Sequence, residues 1–216
     1  MLVLFDLIQP FENSWMRQDR LNVRRQGEIP VLLVHGYLCN RGSWWRLRRK
    51  LRKAGLVVAT VNLEPPFADI DALGLILHPR IEEICTKTGA EKLALVGHSM
   101  GGLVCRAYLR RFGTGRVERL ITLATPHQGT RTAWFGIGRD AREMQPGSAW
   151  LRQLAASAPV LPTLATWSTH DSLVVPQDSA RLPGCHEFAL PALGHVMMLF
   201  SPEVGRLLVS ELRAGS

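Results

Sequence analysis

The chain alternates short apolar runs with amphipathic segments. Val31-Leu-Leu-Val34, Leu56-Val-Val-Ala-Thr-Val61, Lys92-Leu-Ala-Leu-Val96 and Val117-Glu-Arg-Leu-Ile-Thr-Leu123 are rich in branched residues and too short for buried helices. Such near-continuous runs predict strands covered on both faces of a parallel sheet. Leu161-Pro-Thr-Leu-Ala-Thr-Trp167 reads as a fifth strand, with its Pro near the start, and Glu187-Phe-Ala-Leu190 as a sixth. Helical spacing fills the gaps at about 43–54, 70–88 and 101–109, with Pro79 predicted to bend or interrupt the second helix. Ser201 and Pro202 have the pattern of an N-cap and first helical residue, opening a last helix to about 212. Residues 1–29 are irregular, readable as an edge strand and short helix, and residues 125–160 break the alternation. Strand–helix alternation predicts an α/β fold: a mostly parallel sheet of about six strands with helices on both faces.

Length and composition narrow this further. The 216 residues, 46% of them hydrophobic, suit one domain with a sizeable core, and no linker or internal repeat divides the chain. A disordered chain is excluded by that composition, and no apolar run reaches the roughly 18 residues of a membrane helix. The N-terminal MLVLFDLIQP lacks a basic leader and is interrupted by Asp6, a poor signal peptide. The expected setting is therefore cytoplasmic or peripheral to a membrane. The four Cys residues, at 39, 85, 105 and 185, lack zinc-site spacing, and Cys105 reads as a core residue.

Net charge is +8, the one unusual bulk feature. Bases concentrate in Arg41–Lys53, where Trp44, Leu47 and Leu51 recur at helical spacing. That helix is either a solvated surface face or a patch meeting anionic lipid headgroups through Arg46, Arg48, Arg49, Arg52 and Lys53. No stacking motif or recognition helix accompanies it, so nucleic acid is not expected as a partner.

The chemistry concentrates in Gly97-His98-Ser99-Met100-Gly101, a G-x-S-x-G between a predicted strand and a predicted helix. In that context the motif predicts a nucleophile elbow, a tight turn that lifts the Ser99 hydroxyl above the sheet edge. Gly97 and Gly101 leave room where a Cβ would collide. The turn also places the serine at a helix N-terminus, which favours negative charge. An activated serine needs a base and an acid to orient it. Of seven His residues, His195 lies in a glycine-framed loop between the last strand and last helix. His98, inside the elbow, is expected to point off the wrong side of the turn. Candidate acids are Glu118, Asp140, Glu143, Asp171, Asp178 and Glu187. Asp171 alone follows the end of a buried strand by a few residues, with Asp178 the runner-up. Oxyanion donors are expected from the backbone N–H of Met100 and of Tyr37, in His35-Gly36-Tyr37 after the first strand.

Together Val34-His-Gly-Tyr37, Val96-Gly-His-Ser-Met-Gly-Gly102, Leu123-Ala-Thr-Pro-His-Gln-Gly129 and His170-Asp-Ser-Leu-Val-Val-Pro176, with Gly194-His195, resemble the bacterial lipase and esterase branch of the α/β-hydrolase superfamily. The resemblance implies that the oxyanion donors map onto Tyr37 and Met100, and that His127 is structural or lines the site. Larger members hold calcium near the histidine loop through Asp residues. Gly194-His-Val-Met-Met-Leu199 offers none, so neither calcium nor any other cofactor is expected. The loop disulfide of some relatives is missing too, since only Cys185 lies between Asp171 and His195. Trp134, Phe135 and Ile137, framed by glycines, suggest a lid in the 125–160 insert or a fixed wall; either would contact an acyl chain. The expected substrate is thus an acyl ester or lipid, cleaved by Ser99, Asp171 and His195 next to a pocket of Tyr37, His127, Trp134 and Phe135. The same triad would serve an acyltransferase or thioesterase. The alternative of another class is a non-catalytic lipid- or protein-binding module.

Overall fold

The computed structural model describes residues 18–21, 28–156 and 161–214. The edge strand and short helix expected in residues 1–29 lie mostly outside the described residues, in 1–17 and 22–27. Six strands form one sheet: β1 (Val31–Val34), β2 (Val58–Val61), β3 (Leu93–His98), β4 (Val117–Leu123), β5 (Thr163–Ser168) and β6 (His186–Leu190). The order is β2-β1-β3-β4-β5-β6 and every neighbouring pair is parallel. Among the described residues the sheet is therefore wholly parallel, where the sequence predicted mostly parallel.

Alternation along the central strands explains their continuous apolar character. Leu32 and Val34 of β1 enter one core layer, whereas Val31 and Leu33 enter the other. The first layer is covered by α2 (Ile70–Thr88), α3 (Met100–Phe112) and α5 (Ala149–Ala155), the second by α1 (Trp45–Lys53) and α6 (Pro202–Arg213). The short α4 (Arg139–Glu143) stands in the insert.

Local chemistry sets the helix limits. The Asp69 carboxylate accepts from the Ala72 N–H and opens α2, which Gly89 closes at φ 71°. The Ser201 hydroxyl accepts from Glu203 and Val204 N–H, with Pro202 at the first helical position. Pro79 does not interrupt α2, which runs unbroken through it. Pro79 is exposed, and so is Leu75 one turn earlier, so the carbonyl left without its helical donor lies on the solvated side.

Part of the basic helix is engaged within the protein. Arg48 is buried and donates to the Asp19 carboxylate at 2.6 Å; Arg52 lies 3.6 Å from the same carboxylate, and Arg80 of α2 also binds it at 2.6 Å. Asp19 accepts from the Thr60 N–H as well, fastening residues 18–21 along β2. Lys50 donates to the Pro202 carbonyl. Arg46, Arg49 and Lys53 stay exposed.

Candidate active site

All the candidate residues emerge at the C-terminal ends of parallel strands. There a crevice opens between β1 and β3, because the chain leaves β1 for one side of the sheet and returns for β3 on the other. Ser99 follows β3 directly and caps α3 with φ 56° and ψ −130°, a conformation that costs a non-glycine residue of order 1–3 kcal/mol. The surroundings leave no alternative. A Cβ on Gly97 would stand 2.5 Å from the Gly102 backbone, and one on Gly101 2.3 Å from the Val34 carbonyl oxygen. Gly102 is equally confined, with a Cβ there only 2.0 Å from the Thr125 hydroxyl. The Ser99 N–H donates to the Leu123 carbonyl, pinning the turn to β4.

Two later loops bring the acid and the imidazole. His195 Nδ1 is 2.8 Å from Asp171 Oδ2, and both side chains are buried. The other carboxylate oxygen accepts from the Leu173 and Val174 N–H groups, each at 2.8 Å. Burial alone would raise the Asp171 pKa. The His195 hydrogen bond and charge, with those two N–H donors, outweigh it and hold the carboxyl below its usual value. Asp178 is exposed in the turn Gln177–Ala180. Ser168 joins the two loops: its hydroxyl donates to the Leu193 carbonyl and accepts from the His170 N–H. His170 Nδ1 accepts from the Ala192 N–H, a second cross-link.

Ser99 and His195 open onto one cavity of about 240 Å³, lined also by Gly36, Tyr37, His98 and Phe135. A Cβ on Gly36 would come within 2.8 Å of the Ser99 Cβ, so the loop bearing the Tyr37 N–H passes against Ser99. The Met100 N–H belongs to the first turn of α3, where helix geometry supplies no intrahelical acceptor. The interior wall is apolar and small: Ala133, Ala141, Met144 and Val174 are all buried.

The Tyr37 side chain does more than line this space. Its hydroxyl donates to the Ile137 carbonyl and accepts from the Ile137 N–H, hooking the insert onto the loop after β1. Thr130 and Thr132 donate to the Leu173 carbonyl, and the Arg139 N–H donates to the Phe67 carbonyl. The insert is thus stitched to three loops, with Trp134 and Phe135 projecting into solvent at 59% and 90% exposure.

Two histidines sit differently from the sequence reading. His127 is buried and not among the cavity-lining residues. Arg106 donates to its Nδ1, so its Nε2–H faces the Thr122 hydroxyl. Burial, then the Arg106 charge, push its pKa well below the usual value, and it stays a neutral structural bridge. His98 does not point away from the site. It lines the cavity, its ring centroid lies 4.7 Å from that of His195, and its Nε2–H donates to the His195 carbonyl at 3.2 Å. Burial, and next the neighbouring His195, push its pKa down to about 3. Sequence offers no signal for this contact, since 97 residues separate the partners.

A wholly parallel sheet that presents a strained serine at a strand-to-helix turn, beside a buried imidazole–carboxylate pair from later strand ends, defines an α/β hydrolase. Residues 30–160 match the sequence model of the family described as palmitoyl protein thioesterase. The chain is similar to two proteins called triacylglycerol lipase. It is 30% identical over 151 residues to one from Pseudarthrobacter phenanthrenivorans, covering 66% of this chain and 46% of the relative, and 30% identical to one from Burkholderia plantarii, covering 66% and 41%. The chain thus spans less than half the length of either. Among solved structures, the mature form of Bacillus licheniformis lipase BlEst2 superposes with a TM-score of 0.78 at 19% identity, covering 88% of this chain and 95% of that one. The chain belongs to the palmitoyl protein thioesterase family, within the lipase and esterase group of α/β hydrolases.

Proposed function

We propose that this protein is a serine esterase that cleaves acyl-chain esters through an acyl-enzyme. The observation that carries the reading is the buried 2.8 Å His195–Asp171 pair whose ring opens onto the same cavity as the strained Ser99. Ser99 Oγ attacks the ester carbonyl while His195 Nε2 takes its proton. Asp171 holds the proton on Nδ1 and stabilises the imidazolium. The Tyr37 and Met100 N–H groups receive the oxyanion. His195 then returns the proton to the departing alcohol, and water, deprotonated by the same imidazole, resolves the acyl-enzyme.

The cavity, about 240 Å³ and lined by apolar side chains that include Phe135, Met144 and Val174, can accept an acyl chain. The family match favours a second substrate class, S-acyl thioesters, because the same nucleophile and oxyanion donors serve either leaving group. The test is a chain-length series of p-nitrophenyl esters and matching thioesters, together with fluorophosphonate labelling. Ser99→Ala is expected to abolish labelling and lower turnover by at least ~10³-fold while the protein stays folded. Turnover within tenfold of wild type would remove Ser99 from the mechanism.

A further inference from the structure

Residues 130–132 of the insert are joined to the turn that carries the acid. The Arg131 N–H donates to the Val175 carbonyl, and the Val175 N–H donates to the Thr130 hydroxyl oxygen at 2.9 Å. The Thr130 and Thr132 hydroxyl oxygens lie 2.7 and 2.6 Å from the Leu173 carbonyl oxygen, and 3.0 Å from each other. A carbonyl oxygen has no proton to give. At the two shorter distances each threonine must therefore direct its single hydroxyl proton to Leu173, since an unbridged oxygen pair so close would repel. Both lone pairs of that carbonyl are then occupied. Thr130 and Val174 are buried, a setting in which such bonds are stronger than in water and costly to leave unmade.

One peptide unit carries this contact to Asp171. The Leu173 carbonyl and the Val174 N–H belong to the same planar group. Hydrogen bonds to the carbonyl draw electron density from it and make the N–H a stronger donor. That N–H and the Leu173 N–H each hold Asp171 Oδ1 at 2.8 Å. A carboxylate is planar, so fixing Oδ1 also sets the direction of Oδ2, which faces His195 Nδ1 at 2.8 Å. The acid's orientation thus depends on two hydroxyls that stand 43 and 41 positions before Leu173 in the chain.

We propose that Thr130 and Thr132 are positioning residues for the acid: as paired hydroxyl donors on the Leu173 carbonyl they fix the Leu173–Val174 peptide, and through it the carboxylate plane that orients His195. The insert therefore supports the reaction from behind the acid as well as walling the cavity. Both threonines also line that cavity beside Leu173 and Val174, so a substrate seated there bears on the residues that hold the acid. The proposal rests on the esterase reading in taking Asp171 as the acid that orients His195.

The test has two readouts: p-nitrophenyl butyrate kinetics, and the downfield proton NMR signal of the His195 Nδ1–H, identified by its loss in His195→Ala. Thr132→Val keeps the side-chain shape and strands no backbone donor. It is expected to lower kcat about fivefold, less than a whole hydrogen bond is worth because Thr130 still holds the carbonyl, with KM within about twofold. Thr130→Val/Thr132→Val is expected to lower kcat about fiftyfold. In both variants the NMR signal should broaden through faster exchange with water. Thr132→Ser and Thr130→Ser/Thr132→Ser keep the hydroxyls and are expected to restore the signal, with kcat within about twofold of wild type. Thermal unfolding checks each fold; Thr130→Val strands the Val175 N–H, so if the double variant does not fold, Thr132→Val against Thr132→Ser decides. An unchanged kcat and signal in Thr132→Val, a loss mainly in KM, or an equal loss in the serine variants would overturn the proposal. Full turnover in Asp171→Asn would instead remove the acid from the esterase reading, and the NMR signal, which needs no turnover, would still decide what the threonines hold.

Discussion

Asp171→Asn removes little volume and tests the site at its most geometrically determined atom. Asp171 Oδ1 accepts from the Leu173 and Val174 N–H groups, both at 2.8 Å, while Oδ2 faces His195 Nδ1 at 2.8 Å. An asparagine has one oxygen and one NH2. Turning the NH2 towards two backbone donors would oppose N–H to N–H and lose two hydrogen bonds, each worth about 1 kcal/mol or more. The oxygen therefore keeps the Leu173 and Val174 side, and the NH2 faces His195. His195 must then accept at Nδ1 and carry its proton on Nε2, so the atom that should take the Ser99 proton already holds one. The expected loss in kcat is about 10⁴-fold, equivalent to about 5 kcal/mol of barrier, the scale that the wrong histidine tautomer produces in a serine protease. Folding should be nearly intact, because every acceptor position retains a partner. The assay is p-nitrophenyl butyrate turnover beside thermal unfolding, with Asp178→Asn as control, since Asp178 is exposed in its turn. A loss below tenfold, or a larger loss in Asp178→Asn, would refute the assignment.

Two further outcomes follow from the buried histidines. His98→Phe keeps a ring beside His195 but removes the donation to the His195 carbonyl, so kcat should fall about tenfold, the worth of one hydrogen bond, with KM within about threefold; steady-state kinetics showing the loss mainly in KM would deny it a positioning role. Burial, as the largest cause, depresses His35 to about 4, His98 to about 3 and His127 well below its usual value, so the unfolded chain takes up more protons and thermal stability should drop as pH falls from about 6.5 towards 3. Asp140 and Glu143, both raised to about 6 by burial, work in the opposite sense, since the native state takes their protons first. Asp140→Asn/Glu143→Gln should therefore steepen the drop between about pH 6 and 4, read by calorimetry at each pH; an unchanged slope would contradict the burial of these carboxyls.

Much of the fold was legible because the signals are local. Strand β1 and helix α2 fall on the expected residues 31–34 and 70–88, since a doubly covered strand is continuously apolar and an amphipathic helix carries its own period. The elbow was equally readable: Gly97, Ser99 and Gly101 lie within five residues, and their steric conflict depends on the turn they form. The order of Ser99, Asp171 and His195 along the chain, set against strand ends, was enough to nominate them.

The tertiary structure decided what depends on residues distant in sequence. It turned His98 onto His195 across 97 residues and made His127 a bridge to Arg106 instead of a wall of the cavity. It also tied two arginines of the basic helix, Arg48 and Arg52, together with Arg80 of α2, to Asp19, which lies 29 positions before Arg48. The Tyr37 hydroxyl found its partner a hundred residues away, and the insert is hydrogen-bonded to three separate loops. Periodicity and turn chemistry record only what a side chain prefers among its near neighbours. Which distant carboxylate, carbonyl or ring it meets follows from how the two layers close over the sheet, and that closure sets the charge left at the surface and the shape of the cavity.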